Sequence, residues 1–189
     1  MVSGCGFSPE QPHESDVILG VSPDALAAMS MEFPGHAVLD SGATESIASL
    51  EALEEIMVIR SRTHGQEQVV VHQREKRFRF GNGTYQNAVS FVEVPQVING
   101  HRVPLGVHAL DAPGIPLLIS VKTLTALKAI LDFEHARICF KDAAPDVWIP
   151  LKRAPNGHLL LDLTQDWVPM SPGVGNCMIA APDASKSDA

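Results

Sequence analysis

Residues 37–44 read Ala-Val-Leu-Asp-Ser-Gly-Ala-Thr, which places a carboxylate in a tight turn directly behind a run of apolar residues. The apolar run predicts a short buried strand, and Gly42 is expected to take a positive φ that lets the backbone approach a ligand closely. From Thr44 to Ile56, apolar residues recur at helical spacing and predict the start of a helix. The stretch therefore predicts a strand, an aspartate turn and a short helix, in that order.

The triplet Asp40-Ser41-Gly42 occurs once in the chain. Asp111, Asp132 and Asp162 are not followed by Ser or Thr and Gly, and Asp111 and Asp132 are expected to have structural or exposed roles. Peptide hydrolysis by aspartates needs two carboxylates that share one proton. A chain of 189 residues is too short to hold both in a two-lobed enzyme, so the second carboxylate would come from a second copy of the chain. Taken alone, the triplet is also ordinary turn composition.

Other site chemistries are not indicated by the sequence. Eight histidines and three cysteines show no metal-ligand spacing, so neither a metal nor a cofactor is expected. There is no G-x-S-x-G nucleophile elbow and no P-loop. A net charge of −8 argues against a nucleic-acid partner, and no apolar stretch of signal-peptide or membrane-spanning length appears. We therefore expect an intracellular, cytoplasmic protein without a membrane partner.

Strand-like runs recur at short intervals between Gly and Pro residues, which predicts an all-β fold with one or two short helices. The runs are 37–39, 68–72, 77–80, 88–94, 103–110, 117–119, 129–133 and 136–140.

The composition divides the chain into four predicted segments. Residues 1–15 and 170–189 have the composition of disordered ends, and residues 16–141 form the predicted domain. Residues 142–169 predict a C-terminal β-hairpin extension with an Asn-Gly turn. This extension would either supply edge strands to a dimer or link the domain to a neighbouring segment. Trp148 and Trp167 are expected to be packing anchors.

Residues 78–85 read Phe-Arg-Phe-Gly-Asn-Gly-Thr-Tyr and predict a hairpin with a glycine-rich tip. The plain interpretation is a tight turn. The functional interpretation is a flap that closes over a bound peptide and excludes water. In that case Phe80, Gly81, Asn82, Gly83 and Thr84 form its tip.

These elements, in this order, resemble a retropepsin-type aspartic protease, and more narrowly the protease segment of long-terminal-repeat retrotransposon polyproteins. The resemblance covers about residues 35–141. It implies an acid-protease barrel with one lobe per chain, closed as a homodimer, in which Asp40 is catalytic and Ser41, Gly42, Ala43 and Thr44 support the catalytic turn.

The resemblance also implies a second motif of two apolar residues and Gly, followed by a helix, packed beneath the catalytic turn. Leu118-Ile119-Ser120 occupies that place, with Ser120 where the family has Gly, and 121–128 predicts the helix. The implied activity is an aspartic endopeptidase that processes a polyprotein.

Two alternatives stay open at this point. The chain could be a dimerisation or scaffold module that keeps the protease fold without cleaving, or an unrelated β-barrel in which the triplet arose by chance. If it is a protease, Val38, Ala43, Ile119 and the flap residues are expected to line an apolar cleft.

Overall fold

The structure is a computed structural model that describes residues 15–16 and 32–167. Thirteen strands are found in these residues: β1 Ser15–Asp16, β2 His36–Asp40, β3 Ile47–Ser49, β4 Val70–His72, β5 Lys76–Arg79, β6 Tyr85–Ile98, β7 His101–Leu110, β8 Leu117–Ser120, β9 Ala129–Asp132, β10 Arg137–Phe140, β11 Ile149–Pro150, β12 Lys152–Arg153 and β13 Leu159–Asp162. The same residues contain two helices, α1 Leu50–His64 and α2 Val121–Ala126. The fold is thus mostly β with two short helices, as the sequence predicts.

Ten of these strands form one sheet in the order β1-β5-β6-β7-β3-β8-β2-β13-β12, with β4 pairing β6 beside this path. The remaining three form a smaller antiparallel sheet in the order β11-β10-β9. The long hairpin of β6 and β7 is the largest element, and its turn, Asn99-Gly100, has φ values of 51° and 76°. Two successive positive φ values suit a hairpin turn that follows the right-handed twist of its strands.

The centre of the large sheet places β8 between β2 and β3. β8 runs parallel to β2, with Val38 opposite Leu118, and antiparallel to β3. Because β2 and β3 lie on opposite sides of β8, the segment 41–46 that joins them passes over the end of β8. All three apolar residues 37–39 are buried, as the sequence predicts.

The helix predicted from Thr44 begins later, so that prediction is wrong at its boundary. Residues 47–49 are instead the buried strand β3, and Ser49 is the N-cap of α1, its hydroxyl accepting the Ala52 N–H at 3.1 Å. Residues 47–49 form a strand and not a helix because they pair with β7 on one side and β8 on the other in the large sheet. The predicted helix 121–128 ends two residues early, at Ala126.

The C-terminal hairpin is part of the large sheet. β13 pairs antiparallel with β2, and β12 pairs with β13 across the turn that contains Asn156-Gly157. Trp167 is buried, stacks on Phe140 with ring centroids 5.1 Å apart, and donates its Nε1–H to the Asp162 carbonyl at 2.7 Å. Within residues 142–167, the predicted extension is therefore part of the large sheet and of the hydrophobic core.

The buried Arg60 side chain of α1 connects the helix to Glu67 and to this C-terminal region. The Arg60 side chain has no exposed surface; its Nε and Nη2 donate to the Glu67 carboxylate at 2.6 and 2.9 Å, and Nη1 donates to the Leu163 carbonyl at 2.8 Å. A guanidinium removed from water is tolerated only when its donors are satisfied in this way.

The predicted disordered ends, 1–15 and 170–189, lie outside the described residues, except for Ser15, which begins β1. Within residues 15–16 and 32–167, no helix is long and apolar enough to cross a membrane.

Candidate active site

Asp40 is the last residue of β2 and its side chain is half-buried at the end of the sheet. Its Oδ1 accepts the Gly42 N–H at 2.8 Å, which closes the turn over the carboxylate. Gly42 is not among the described glycines with positive φ, so that expectation is wrong: the turn closes through the side-chain hydrogen bond without left-handed backbone. The Gly42 N–H thus holds the carboxylate at the end of a buried strand.

The rest of the turn is fixed to neighbouring backbone. The Ala43 N–H donates to the Asp40 carbonyl at 3.3 Å, and the Ala43 carbonyl accepts the Val121 N–H, at the start of α2, at 3.1 Å. Ala43 is buried, whereas Ser41, Gly42 and Thr44 are exposed. The structure thus brings together the predicted support residues around Asp40, with one buried anchor and three positions open to solvent.

The segment Leu118-Ile119-Ser120 lies beside the aspartate strand, with Ser120 opposite Asp40 and Ile119 opposite Leu39. Ser120 is fully buried and is the N-cap of α2, where its hydroxyl accepts the Thr123 N–H at 3.3 Å. A buried serine hydroxyl needs hydrogen-bond partners, and this cap supplies one of them.

Ser46 supplies another partner, which the sequence interpretation missed. Its hydroxyl lies 3.2 Å from the Ser120 hydroxyl and 2.8 Å from the Thr123 hydroxyl, and it accepts the Ser120 N–H at 3.1 Å. The spacing of Ser120 and Thr123, which puts a hydroxyl at the N-cap and another one turn later, is the signal that could have indicated this network. The hydroxyls tie the loop after Asp40 to β8 and α2.

The glycine-rich hairpin is present where it was predicted, between β5 and β6. The Phe80 N–H donates to the Thr84 carbonyl at 2.8 Å and the Gly83 N–H to the Phe80 carbonyl at 2.8 Å. Gly83 has φ of 83°, and the Asn82 Oδ1 accepts the Thr84 N–H at 3.0 Å. Residues 81–84 are exposed, but Phe80 is buried in the cluster that contains Val38 and Ala43. Phe80 is therefore the anchor of the hairpin, and 81–84 are its free tip.

A cleft of about 300 Å³ opens beside Asp40. It is lined by Leu39, Asp40 and Ser41 from the end of β2 and its turn, by Leu131 of β9 and Phe133 just after it, and by four residues of the β12–β13 hairpin, Asn156, Gly157, His158 and Leu159. The expectation that Val38, Ala43 and Ile119 line the cleft is wrong, because all three are buried in the core. The flap residues are not part of this lining either.

Glu45 connects the turn to the flap strand. Its carboxylate accepts hydrogen bonds from Lys76 Nζ of β5 at 3.1 Å and from Lys122 Nζ of α2 at 2.9 Å. Burial acts to raise the pKa of Glu45, but the hydrogen bonds from the two ammonium groups outweigh it, so the pKa lies below its usual value. Glu45, in the loop after Asp40, thus contacts both the base of the flap and α2.

His108 is buried, and the sequence pattern does not distinguish it from the other scattered histidines. Its ring lies between Phe78 and Phe91 at centroid distances of 5.1 and 5.0 Å, and its Nδ1 has no hydrogen-bond partner. Burial, with a further contribution from the nearby Lys76 charge, lowers the pKa of His108 to about 4. The imidazole is therefore neutral at pH 7.

Asp132 has the structural role that was expected of it. It accepts the His135 N–H at 3.0 Å, His135 Nδ1 at 2.9 Å and Arg137 Nε at 2.8 Å. The backbone N–H of His135 and then the Arg137 guanidinium lower the pKa of Asp132 to about 2. No group of three His, Cys, Asp or Glu side chains able to hold a metal ion is found in residues 15–16 and 32–167.

Comparisons with known proteins add little to this geometry. No family model matches the chain, and no curated protein matches it. Among solved structures, the chain is similar to the retroviral protease-like domain of Ddi1 from Leishmania major, with 16% identity over 59% of this chain and 79% of that one, and a TM-score of 0.32. Values this low do not establish a shared fold.

Proposed function

We propose that this protein is an aspartic endopeptidase that acts as a homodimer, with the Asp40 carboxylate of each chain at one shared site. The observation that carries the proposal is the placement of Asp40. It ends a buried strand, its turn is closed by the Gly42 N–H, and it lies at a cleft beside the buried segment Leu118-Ile119-Ser120.

We propose a dimer because the described lining of the cleft holds one carboxylate, whereas the reaction needs two. Asp40 is the only acidic side chain among the described residues that line the cleft. One carboxylate cannot both take a proton from water and donate one to a carbonyl oxygen in the same step. A two-fold axis beside Asp40 would supply the second carboxylate from an identical chain.

In such a pair the two carboxyl groups share one proton, because like charges this close do not both ionise. The charged carboxylate takes a proton from a water molecule, which attacks the carbonyl carbon of the peptide. The protonated partner gives its proton to the carbonyl oxygen, so a neutral tetrahedral diol forms. Collapse of the diol breaks the C–N bond as the amine nitrogen receives a proton and the new acid is released.

The exposed tip 81–84 is proposed to cover the bound peptide. Bare backbone at Gly81 and Gly83 would offer N–H and C=O groups to an extended chain, and closure would exclude water from the site. The Glu45 contacts with Lys76 and Lys122 support this role, because they hold the base of the hairpin next to the aspartate turn.

The motifs resemble those of retrotransposon proteases, so we propose a polyprotein that contains this chain as the substrate. A second function, a dimerisation or scaffold module without cleavage, is favoured by one observation: Ser120 stands where the family has Gly. Its hydroxyl is buried and hydrogen-bonded within the fold, which is compatible with either function.

The test is cleavage of a mixed peptide library at pH 4 to 7 by the wild type, by Asp40→Asn and by the control Asp111→Asn, whose aspartate is exposed after β7. We expect cleavage by the wild type and the control, no cleavage by Asp40→Asn, and inhibition by pepstatin. Cleavage that survives Asp40→Asn would refute the aspartic mechanism. A folded, dimeric wild type that cleaves nothing would favour the scaffold function.

A further inference from the structure

Ser46 ends the loop that begins with the Asp40 turn. Its side chain is 3% exposed, and it lies directly before β3. The loop, residues 41–46, passes over the end of β8, because β2 and β3 lie on opposite sides of that strand. The geometry of the Asp40 turn therefore depends on how this loop is held at its far end.

Two consecutive N–H groups at the junction of β8 and α2 hold the loop. The Ser120 N–H donates to the Ser46 hydroxyl at 3.1 Å, and the Val121 N–H donates to the Ala43 carbonyl at 3.1 Å. Ser120 lies opposite Asp40 in the pairing of β8 with β2, so both contacts are next to the candidate catalytic residue. The first contact depends on a side chain, whereas the second is made by the main chain alone.

The main chain of Ser46 is fixed on its other side to β7. Its carbonyl accepts the His108 N–H at 2.9 Å. Since β3 lies between β7 and β8 in the large sheet, Ser46 contacts one neighbouring strand through its carbonyl and the other through its hydroxyl. The loop after Asp40 thus ends at a residue that is bound from both directions.

Three hydroxyl groups meet at this point. The Ser46 Oγ lies 3.2 Å from the Ser120 Oγ and 2.8 Å from the Thr123 Oγ1, and the Ser120 Oγ lies 3.3 Å from the Thr123 Oγ1. A hydroxyl donates one hydrogen bond and accepts two, so the Ser46 oxygen can accept the Ser120 N–H while its own proton is donated within the cluster. Hydrogen bonds in such a cluster polarise and strengthen one another. An alanine at position 46 would leave the buried Ser120 N–H without this acceptor.

We propose that Ser46 is a positioning residue of the candidate active site, and that its hydroxyl keeps residues 41–46 in the conformation that orients the Asp40 carboxylate for catalysis. The described lining of the cleft does not include Ser46, so it acts through the loop and not by contact with a peptide. The inference rests on the proposed endopeptidase function for its kinetic test. A measurement on the Asp40 turn itself keeps the two proposals separable.

The kinetic test measures kcat and KM for peptide cleavage by the full chain and its variants. Ser46→Ala removes the hydroxyl, Ser46→Cys replaces it with a thiol that accepts hydrogen bonds only weakly, and Ser46→Thr keeps a hydroxyl. Ser49→Ala is the matched control, because the Ser49 side chain is also buried and its hydroxyl also accepts a main-chain N–H, that of Ala52 at 3.1 Å. Ser49 caps α1 and does not hold the Asp40 loop.

We expect kcat to fall by about tenfold to a hundredfold in Ser46→Ala and Ser46→Cys, since a small misplacement of a catalytic group has an effect of this size. KM should change by less than about twofold, because the residues that line the cleft are unaltered. Ser46→Thr should retain at least about half of the wild-type kcat, and Ser49→Ala should leave kcat unchanged.

The second measurement is the hydrogen-exchange rate of the Gly42 amide, followed by NMR at pH 7 without peptide. The Gly42 N–H donates to the Asp40 Oδ1 at 2.8 Å, so its exchange reports whether the turn stays closed on the carboxylate. We expect exchange about tenfold faster than in the wild type in Ser46→Ala and Ser46→Cys, and the wild-type rate in Ser49→Ala. If Ser46→Ala does not fold, Ser46→Cys makes the same comparison with a side chain of similar size.

Each outcome decides between the proposals. Faster Gly42 exchange in the Ser46 variants of a protein that never cleaves supports the positioning role and overturns the endopeptidase. An equal fall of kcat in the Ser46 variants and in Ser49→Ala overturns the positioning role, because the fall would then follow general stability. Unchanged kcat and unchanged Gly42 exchange in the Ser46 variants overturn the positioning role and leave the endopeptidase standing.

Discussion

Replacing His108 with Leu should make the protein more resistant to acid. His108 is 3% exposed between Phe78 and Phe91, and burial lowers its pKa from 6.5 to about 4. The unfolded chain therefore binds a proton at a pH where the folded chain does not. As pH falls below 6.5, protonation favours the unfolded state, and this loss of stability is complete near pH 4.

The magnitude follows from the two pKa values. A shift from 6.5 to about 4 corresponds to about 3 kcal/mol of stability in total, of which about 2 kcal/mol is lost by pH 5. Since folded domains are stable by about 5–15 kcal/mol, this loss is large. It falls within the acidic range in which a shared-proton aspartate pair would work.

Urea denaturation of the wild type, of His108→Leu and of the control His101→Leu at pH 8, 6.5, 5 and 4.5 measures the effect. The free energy of unfolding of His108→Leu relative to the wild type should rise by about 2 kcal/mol between pH 8 and pH 5. His101 is exposed, so its variant should follow the wild type. A difference between His108→Leu and the wild type that does not change with pH would refute the reasoning.

Three further substitutions have defined outcomes. Ser120→Ala removes the N-cap acceptor of α2, so the free energy of unfolding should fall by about 1 kcal/mol. Peptide cleavage should be retained, and a loss of cleavage at unchanged stability would contradict this. Arg60→Met leaves the Glu67 carboxylate without its partner, so the free energy of unfolding measured by urea denaturation should fall by about 3–5 kcal/mol. A fall of less than about 1 kcal/mol would show that Arg60 does not stabilise the packing of α1. Asp132→Asn should lower the thermal midpoint at pH 4.5, and this difference should shrink as pH falls from 3.8 towards 2, because the low pKa of Asp132 keeps the wild-type carboxylate charged above that range. A difference that does not shrink below pH 3.8 would show that the carboxylate is not the brace.

The local pattern of the sequence predicted most of the strands but not the start of α1. Ile47, Leu50, Leu53 and Ile56 fit a helical period, which is why the helix was expected from Thr44. In the fold, Ile47 instead enters the sheet between β7 and β8, and this long-range pairing outweighs the helical pattern.

The candidate site was predictable only in part for the same reason. Asp40, its turn and Ser120 are recognisable from short motifs, and the structure places them side by side. That His158 stands beside Asp40 depends on the pairing of β13 with β2 across more than a hundred residues of sequence. The local sequence pattern does not determine which residues of β13 and β2 lie opposite each other.

The central claim is that catalysis requires one Asp40 from each of two chains. The most direct test combines a wild-type chain and an Asp40→Asn chain that carry different affinity tags, purifies the mixed dimer through both tags, and measures its peptide cleavage against the wild-type dimer. The account predicts no cleavage by the mixed dimer, because a single remaining carboxylate cannot complete the proton transfers. Cleavage at half the wild-type rate or more would contradict it, since each chain would then act alone.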